Sequence, residues 1–133
     1  MPAHIVLISG DPKHFEKLTT ILSDCGLRSV PCATLDAAAK LFSTQHPDVA
    51  ICDDTVPDGD FRKLIAGMKR RGHSAPVIVV SRFDDWGSYL EAMVAGAFDY
   101  VAYPPYPHEL ERAVGSALAE SRSQRKAALQ AAA

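Results

Sequence analysis

The chain is 133 residues long, which makes one domain against a usual size of roughly 150 residues. Its 14 Lys and Arg against 16 Asp and Glu leave a formal net charge of −2, which argues against nucleic-acid binding by bulk electrostatics, because such domains carry a clear basic excess. Hydrophobic residues make up 47% of the chain, ample for a packed core, so disorder is excluded as well.

Cys25, Cys32 and Cys52 are odd in number and form no CxxC pair. They read as reduced thiols of a cytoplasmic protein, not as a disulfide scaffold. The first apolar run, Ile5 to Ser9, is too short for a signal-peptide core or a membrane span. The expectation is a soluble cytoplasmic domain with no membrane association.

Short apolar runs alternate with segments of helical period. Ile5-Val6-Leu7-Ile8 comes first, and Phe15, Leu18, Leu22 and Cys25 follow at spacings of three and four. Asp11-Pro12 supplies a cap and a first-turn proline to that helix, and Gly26 its stop. Ser29-Val30-Pro31-Cys32 is a weaker run. Its proline cannot donate to a central ladder, so it belongs at a sheet edge. Thr34 to Gln45 fills the next helical slot before Val49-Ala50-Ile51-Cys52. Phe61, Leu64, Ile65 and Met68 form a second apolar stripe, ended by Gly72, and Val77-Ile78-Val79-Val80 follows. Asp84 to Ala95, weakened by Gly87, precedes Tyr100-Val101-Ala102. Leu110, Val114 and Leu118 form the last stripe after Pro107.

The first, third and fourth runs are continuously apolar, as parallel strands covered on both faces require. Five β-α units with right-handed crossovers predict an α/β fold, a doubly wound five-stranded parallel sheet with helices on both faces. Residues 1–122 form this domain. The Ser/Arg/Lys/Gln and alanine-rich residues 123–133 read as a helical extension or the start of a linker.

In such a sheet the ligand crevice lies beyond the carboxyl ends of the strands. Ser9, Gly10 and Asp11 follow the first strand there, and Asp53, Asp54, Thr55 and Pro57 the third. Ser81 and Arg82 end the fourth, and Tyr103-Pro104-Pro105 the fifth.

These residues resemble the receiver domain of two-component response regulators. Pro47 to Asp53 followed by Val56-Pro57 is similar to the phosphoacceptor strand and its loop. Pro76 to Ser81 is similar to the strand ending in the switch hydroxyl, and Gly96 to Val101 with Pro104 to the fifth strand. The resemblance covers about residues 4–120 and implies the flavodoxin-like strand order 2-1-3-4-5. It puts Asp53 in the place of the phosphorylated aspartate, Ser81 in that of the switch hydroxyl and Tyr100 in that of the switch aromatic. It implies a phosphorelay function with a histidine kinase, phosphotransfer protein or downstream effector as partner, or a second copy of the chain as a homodimer.

Two departures from the family pattern matter. In the family pattern the acidic pair that holds Mg²⁺ would stand at Ser9 and Gly10, neither a carboxylate, and the lysine that pairs with the acyl phosphate would stand at Tyr103. Mg²⁺ is normally held by carboxylate oxygens, which leaves Asp53, with Asp11, for a weak metal site at most. A tyrosine hydroxyl is neutral at pH 7 and cannot replace an ammonium. The expected protein is an atypical receiver with impaired Mg²⁺-dependent phosphorylation. A regulator phosphorylated on Asp53 through a rearranged metal site is the alternative. A small-molecule binder or enzyme using the same crevice is a third reading, which no glycine-rich phosphate loop supports in a nucleotide version.

Several residues carry a plain structural role beside the functional one. Asp11 before Pro12 is most simply a helix N-cap, and Ser81 can cap the following segment locally. Arg82 is either solvated or folded over the pocket onto Asp53 or Asp54. Trp86 and Tyr89 are expected as partly buried packing in preference to exposed anchors of a partner surface. The five histidines (His4, His14, His46, His73 and His108) show no ligand spacing, and none is expected to bind metal.

Overall fold

The computed structural model describes residues 3–132. Strands β1 (Ile5–Ile8), β2 (Ser29–Cys32), β3 (Val49–Asp53), β4 (Val77–Ser81) and β5 (Asp99–Ala102) alternate with helices α1 (Pro12–Asp24), α2 (Leu35–Thr44), α3 (Phe61–Arg70), α4 (Trp86–Ala95) and α5 (Pro107–Ala132). The strands form one parallel sheet in the order β2-β1-β3-β4-β5, as expected. β2 lies at the edge, with Pro31 exposed, because a residue without an N–H weakens any ladder it enters from the middle.

The continuous apolar runs feed two cores at once, since alternate strand residues point to opposite faces. Ile5, Leu7, Val49, Ile51, Ile78 and Val80 pack under α1 and α5. Val6, Ile8, Ala50, Cys52, Val77 and Val79 pack under α2, α3 and α4. All of these side chains are buried. The helix boundaries follow local chemistry. Asp11, Thr34, Asp60 and Asp85 each accept a first-turn N–H as N-caps, the role these short polar side chains favour. Gly26 and Gly72 take φ +75° just past α1 and α3.

Helix α4 is the least buried of the helices, with Ala92 as its one buried residue. Helix α5 runs unbroken through the alanine-rich tail to Ala132, and Arg125 from its outer half pairs with Asp48. Among the described residues, no helix is long and apolar enough to cross a membrane.

The core makes a quantitative expectation. Ile51, fully buried in the middle of the sheet, costs about 2–5 kcal/mol of unfolding free energy when cut to alanine. Val94→Ala on exposed α4 changes it by no more than about 0.5 kcal/mol. Denaturant titration of both variants checks the contrast.

Candidate functional site

The parallel strands all end on one side of the sheet, and their terminal residues meet there. Asp53, the last residue of β3, is fully buried. Its Oδ2 accepts a hydrogen bond from Ser9 Oγ at 2.9 Å, just past β1. The same oxygen lies 2.6 Å from Nδ1 of His14, in the first turn of α1. Its other oxygen, Oδ1, is buried without a hydrogen-bond partner. Burial pushes the Asp53 carboxyl above its usual range, and the facing Asp54 carboxyl adds to this. The Ser9 and His14 contacts offset only part of the rise.

His14 is the residue that sequence spacing does not reveal. It is buried, and Asp11 positions it from the preceding loop. Asp11 Oδ1 accepts from the N–H groups of Lys13 and His14, so the cap that starts α1 also fixes where the imidazole points. Those two N–H bonds, with His14 first, hold the Asp11 carboxyl below its usual range. Asp11 Oδ2 stands 3.8 Å from His14 Nε2. Tyr103, in the lysine position, covers the ring: the His14 and Tyr103 centroids are 3.8 Å apart and stacked. Burial, with Asp11 and Asp53 nearby, keeps the Tyr103 phenol neutral by raising its pKa further.

Asp54 turns to a different set of partners. Its Oδ2 accepts from the Arg82 backbone N–H at 2.9 Å, Arg82 Nε at 3.2 Å and Ser81 Oγ at 3.2 Å. Its Oδ1 accepts from Thr55 Oγ1 at 3.0 Å. Partial burial would raise this carboxyl, but the Arg82 N–H and guanidinium outweigh it and hold Asp54 below the usual range. Arg82 therefore folds onto Asp54 and makes no contact with Asp53, while its side chain stays more than half exposed. Ser81 takes the local capping role, since its Oγ also accepts from the Phe83 N–H at 3.1 Å. The Tyr100 hydroxyl donates to the Phe83 carbonyl.

The same geometry bears on Mg²⁺. Gly10 has no side chain to offer and no room for one. Its N–H bonds Thr55 O at 3.0 Å, and an added Cβ would fall 2.5 Å from Pro57 Cδ. Ser9 spends its hydroxyl on Asp53. The residues present thus do not fit an octahedral, carboxylate-held Mg²⁺. The one group of ligand atoms within 4.8 Å of one another, among the described residues, is His14, Asp53 and Asp54. Asp11, expected as the second carboxylate, is not brought into it because its Oδ1 is spent on the helix cap.

A second feature lies beside the pocket. Trp86 is 71% exposed, against the expectation of packing: it stacks on half-buried Tyr89 with centroids 5.3 Å apart, outside the core. Leu90 and Val94 continue the exposed stripe at helical spacing along α4. The helix has too few inward apolar positions to bury the tryptophan. Trp86, Tyr89 and Tyr106 border a cleft of about 700 Å³ between α4, β5 and α5.

Comparison with known proteins agrees with this architecture. The response regulator receiver domain family matches residues 5–115, and the chain belongs to that family. It is therefore a receiver domain of the two-component response regulators. It is 34% identical over 100 residues to the KDP operon transcriptional regulatory protein KdpE of Escherichia coli (strain K12), covering 74% of this chain and 44% of that one. It is 36% identical over 81 residues to the regulatory protein AtoC of the same organism, covering 61% of this chain and 18% of AtoC. The chain thus spans less than half the length of these relatives. A putative response regulator structure from Chloroflexus aurantiacus superposes with a TM-score of 0.80 at 27% identity, covering 90% of this chain and 99% of that one.

Two measurements follow from the pocket. Asp54 titrates below its ordinary value near 3.9 in the folded state, so its pairing stabilises fully above that pH and is lost as pH falls through the folded-state value. The coupling between Arg82→Ala and Asp54→Asn in a double-mutant cycle is therefore about 1 kcal/mol at pH 7, modest because the guanidinium is exposed. It declines as the pH is lowered through the range in which folded-state Asp54 protonates, and additivity at pH 7 would remove the pair from the account. Gly10→Ala, which drives a methyl into Pro57, lowers the unfolding free energy by about 1–3 kcal/mol, read by denaturant titration.

Proposed function

We propose that this domain is an atypical receiver that signals by protein–protein contact, without ordinary Mg²⁺-dependent phosphorylation of Asp53. The observation that carries the reading is the Asp53 carboxylate engaged by His14 and Ser9, where phosphorylation would need a metal and an ammonium. Phosphoryl transfer works by positioning and charge neutralisation, with about two negative charges delivered onto the carboxylate. Here Ser9 and Gly10 supply no metal ligand and Tyr103 no positive charge.

Receiver domains are signalling modules that meet kinases and effectors. For this chain the partner surface is the α4–β5–α5 side, with Trp86, Leu90 and Val94 as its apolar contacts. Contiguous contacts lead there from the pocket. Asp54 holds Ser81 and Arg82, Ser81 holds the Phe83 N–H, and the Phe83 carbonyl holds Tyr100. Tyr100 meets Tyr89 edge-on at 6.1 Å, and Tyr89 stacks on Trp86. Candidate partners are a histidine kinase, a phosphotransfer protein, a downstream effector or a second copy of the chain, met in the cytoplasm. The domain itself performs no enzymatic turnover. We assign residues 1–122 to the receiver and 123–133 to a helical extension or the start of a linker; α5 continues without a break to Ala132, which favours the extension.

Incubation with a small acyl-phosphate donor and millimolar Mg²⁺, followed by intact-protein mass measurement, tests the central claim. The expected result is no phosphoryl adduct beyond that of Asp53→Asn, with Trp86 fluorescence unchanged by Mg²⁺. A stoichiometric adduct mapping to Asp53 overturns it in favour of phosphorylation through a rearranged metal site.

A further inference from the structure

We propose that His14, Asp53 and Asp54 form a binding site for a divalent transition-metal ion of the zinc type, with one imidazole nitrogen and carboxylate oxygens as ligands. The proposal goes beyond the signalling reading and does not depend on whether Asp53 is phosphorylated.

Two observations and the ligand chemistry converge on this site. One ligand atom from each of the three side chains lies within 4.8 Å of the others. The Asp53 Oδ1 atom is buried and has no hydrogen-bond partner. A buried acceptor in that state carries its full desolvation cost, and a cation would remove it. The ligand chemistry then selects the ion. Mg²⁺ requires oxygen ligands in near-ideal octahedral geometry. A mixed set of imidazole and carboxylate suits zinc and its neighbours.

The surroundings are arranged for the same purpose. Coordination through Nδ1 replaces the 2.6 Å contact that this nitrogen makes with Asp53 Oδ2 and needs the His14 tautomer that carries its proton on Nε2. That nitrogen stands 3.8 Å from Asp11 Oδ2, beyond hydrogen-bond length but close enough for the carboxylate to favour a proton there. Such a carboxylate behind a ligating histidine orients the ring and raises its basicity. Asp54 keeps capacity on Oδ1, whose one partner is the Thr55 hydroxyl, while Arg82 and Ser81 hold Oδ2. Asp54 is the partly exposed member of the cluster, which gives the ion a way in.

The test uses the full chain and Zn²⁺ alone, in competition with a chromogenic chelator, with Co²⁺ absorption as a second readout of nitrogen ligation. One equivalent of Zn²⁺ is expected, not displaced by millimolar Mg²⁺. Since partners behind a ligand are worth 10–100-fold in affinity, losing a direct ligand in His14→Asn or Asp54→Asn weakens binding at least about tenfold. Cys25→Ser controls for the thiol beside Glu111 and leaves the affinity unchanged. If His14→Asn fails to fold by circular dichroism, Asp54→Asn, altered at a less buried position, decides the question. The proposal is overturned if no equivalent binds, if Asp54→Asn binds as tightly as the parent, if Cys25→Ser abolishes binding, or if Mg²⁺ competes on equal terms.

Discussion

A carboxylate at the closed end of a parallel sheet needs a counterpart, and the contact between Asp53 and His14 is the one this protein has built. Asp53 has no exposed surface, so water cannot solvate it and the protein must. In this chain the counterpart comes from the first turn of α1, reached through a helix cap, and from the hydroxyl of Ser9. Much of the local architecture serves that arrangement. Asp11 sets the start of α1 and thereby the position of the imidazole. Tyr103 lies flat against the ring and separates it from solvent.

The two adjacent acids divide their tasks because their surroundings differ. Asp53 faces inward and its carboxyl is raised, chiefly by burial. Asp54 faces the β4–α4 loop, where a main-chain N–H and a guanidinium hold it ionised. A pair of like groups whose environments push their ionisation apart is a common sign of a functional site. Asp54 also ties the pocket to the surface. Its partners Ser81 and Arg82 begin the loop that runs under Tyr100 toward the exposed stripe of α4. Hydrogen bonds run without a gap from Asp54 through Ser81 and the Phe83 backbone to Tyr100.

The apolar face of α4 is the other departure from a self-sufficient domain. Trp86 and Val94 are large apolar groups left mainly in water, and an aromatic stacked on a second aromatic is already ordered for contact. Periodicity alone places Trp86 on a helix near a core, and composition favours burying it. The structure leaves it outside because α4 offers Ala92 and little else to the sheet.

The sequence by itself determined the architecture. Strand positions, the edge placement of β2 and the cap of α1 follow from local rules: continuous apolar runs, a proline in a strand, a short polar residue before a helix and glycine after it; the full order of the sheet came with the family resemblance. Set beside the family pattern it resembles, the sequence also showed which carboxylates and which lysine are absent from the pocket, since a changed side chain can be read at a single position. Only the tertiary structure decided what replaced them. His14 and Asp53 are 39 residues apart, and no periodicity links a residue in the first turn of α1 to the last residue of β3. Arg82 had two acids in reach, and the register of β3 against β4, which sets the Arg82 N–H on Asp54, selected one. Gly10 reads as an absent carboxylate, but the reason no side chain fits there is the approach of Pro57 from another loop. Contacts of this kind depend on where chain segments meet in space, and local sequence chemistry carries no record of it.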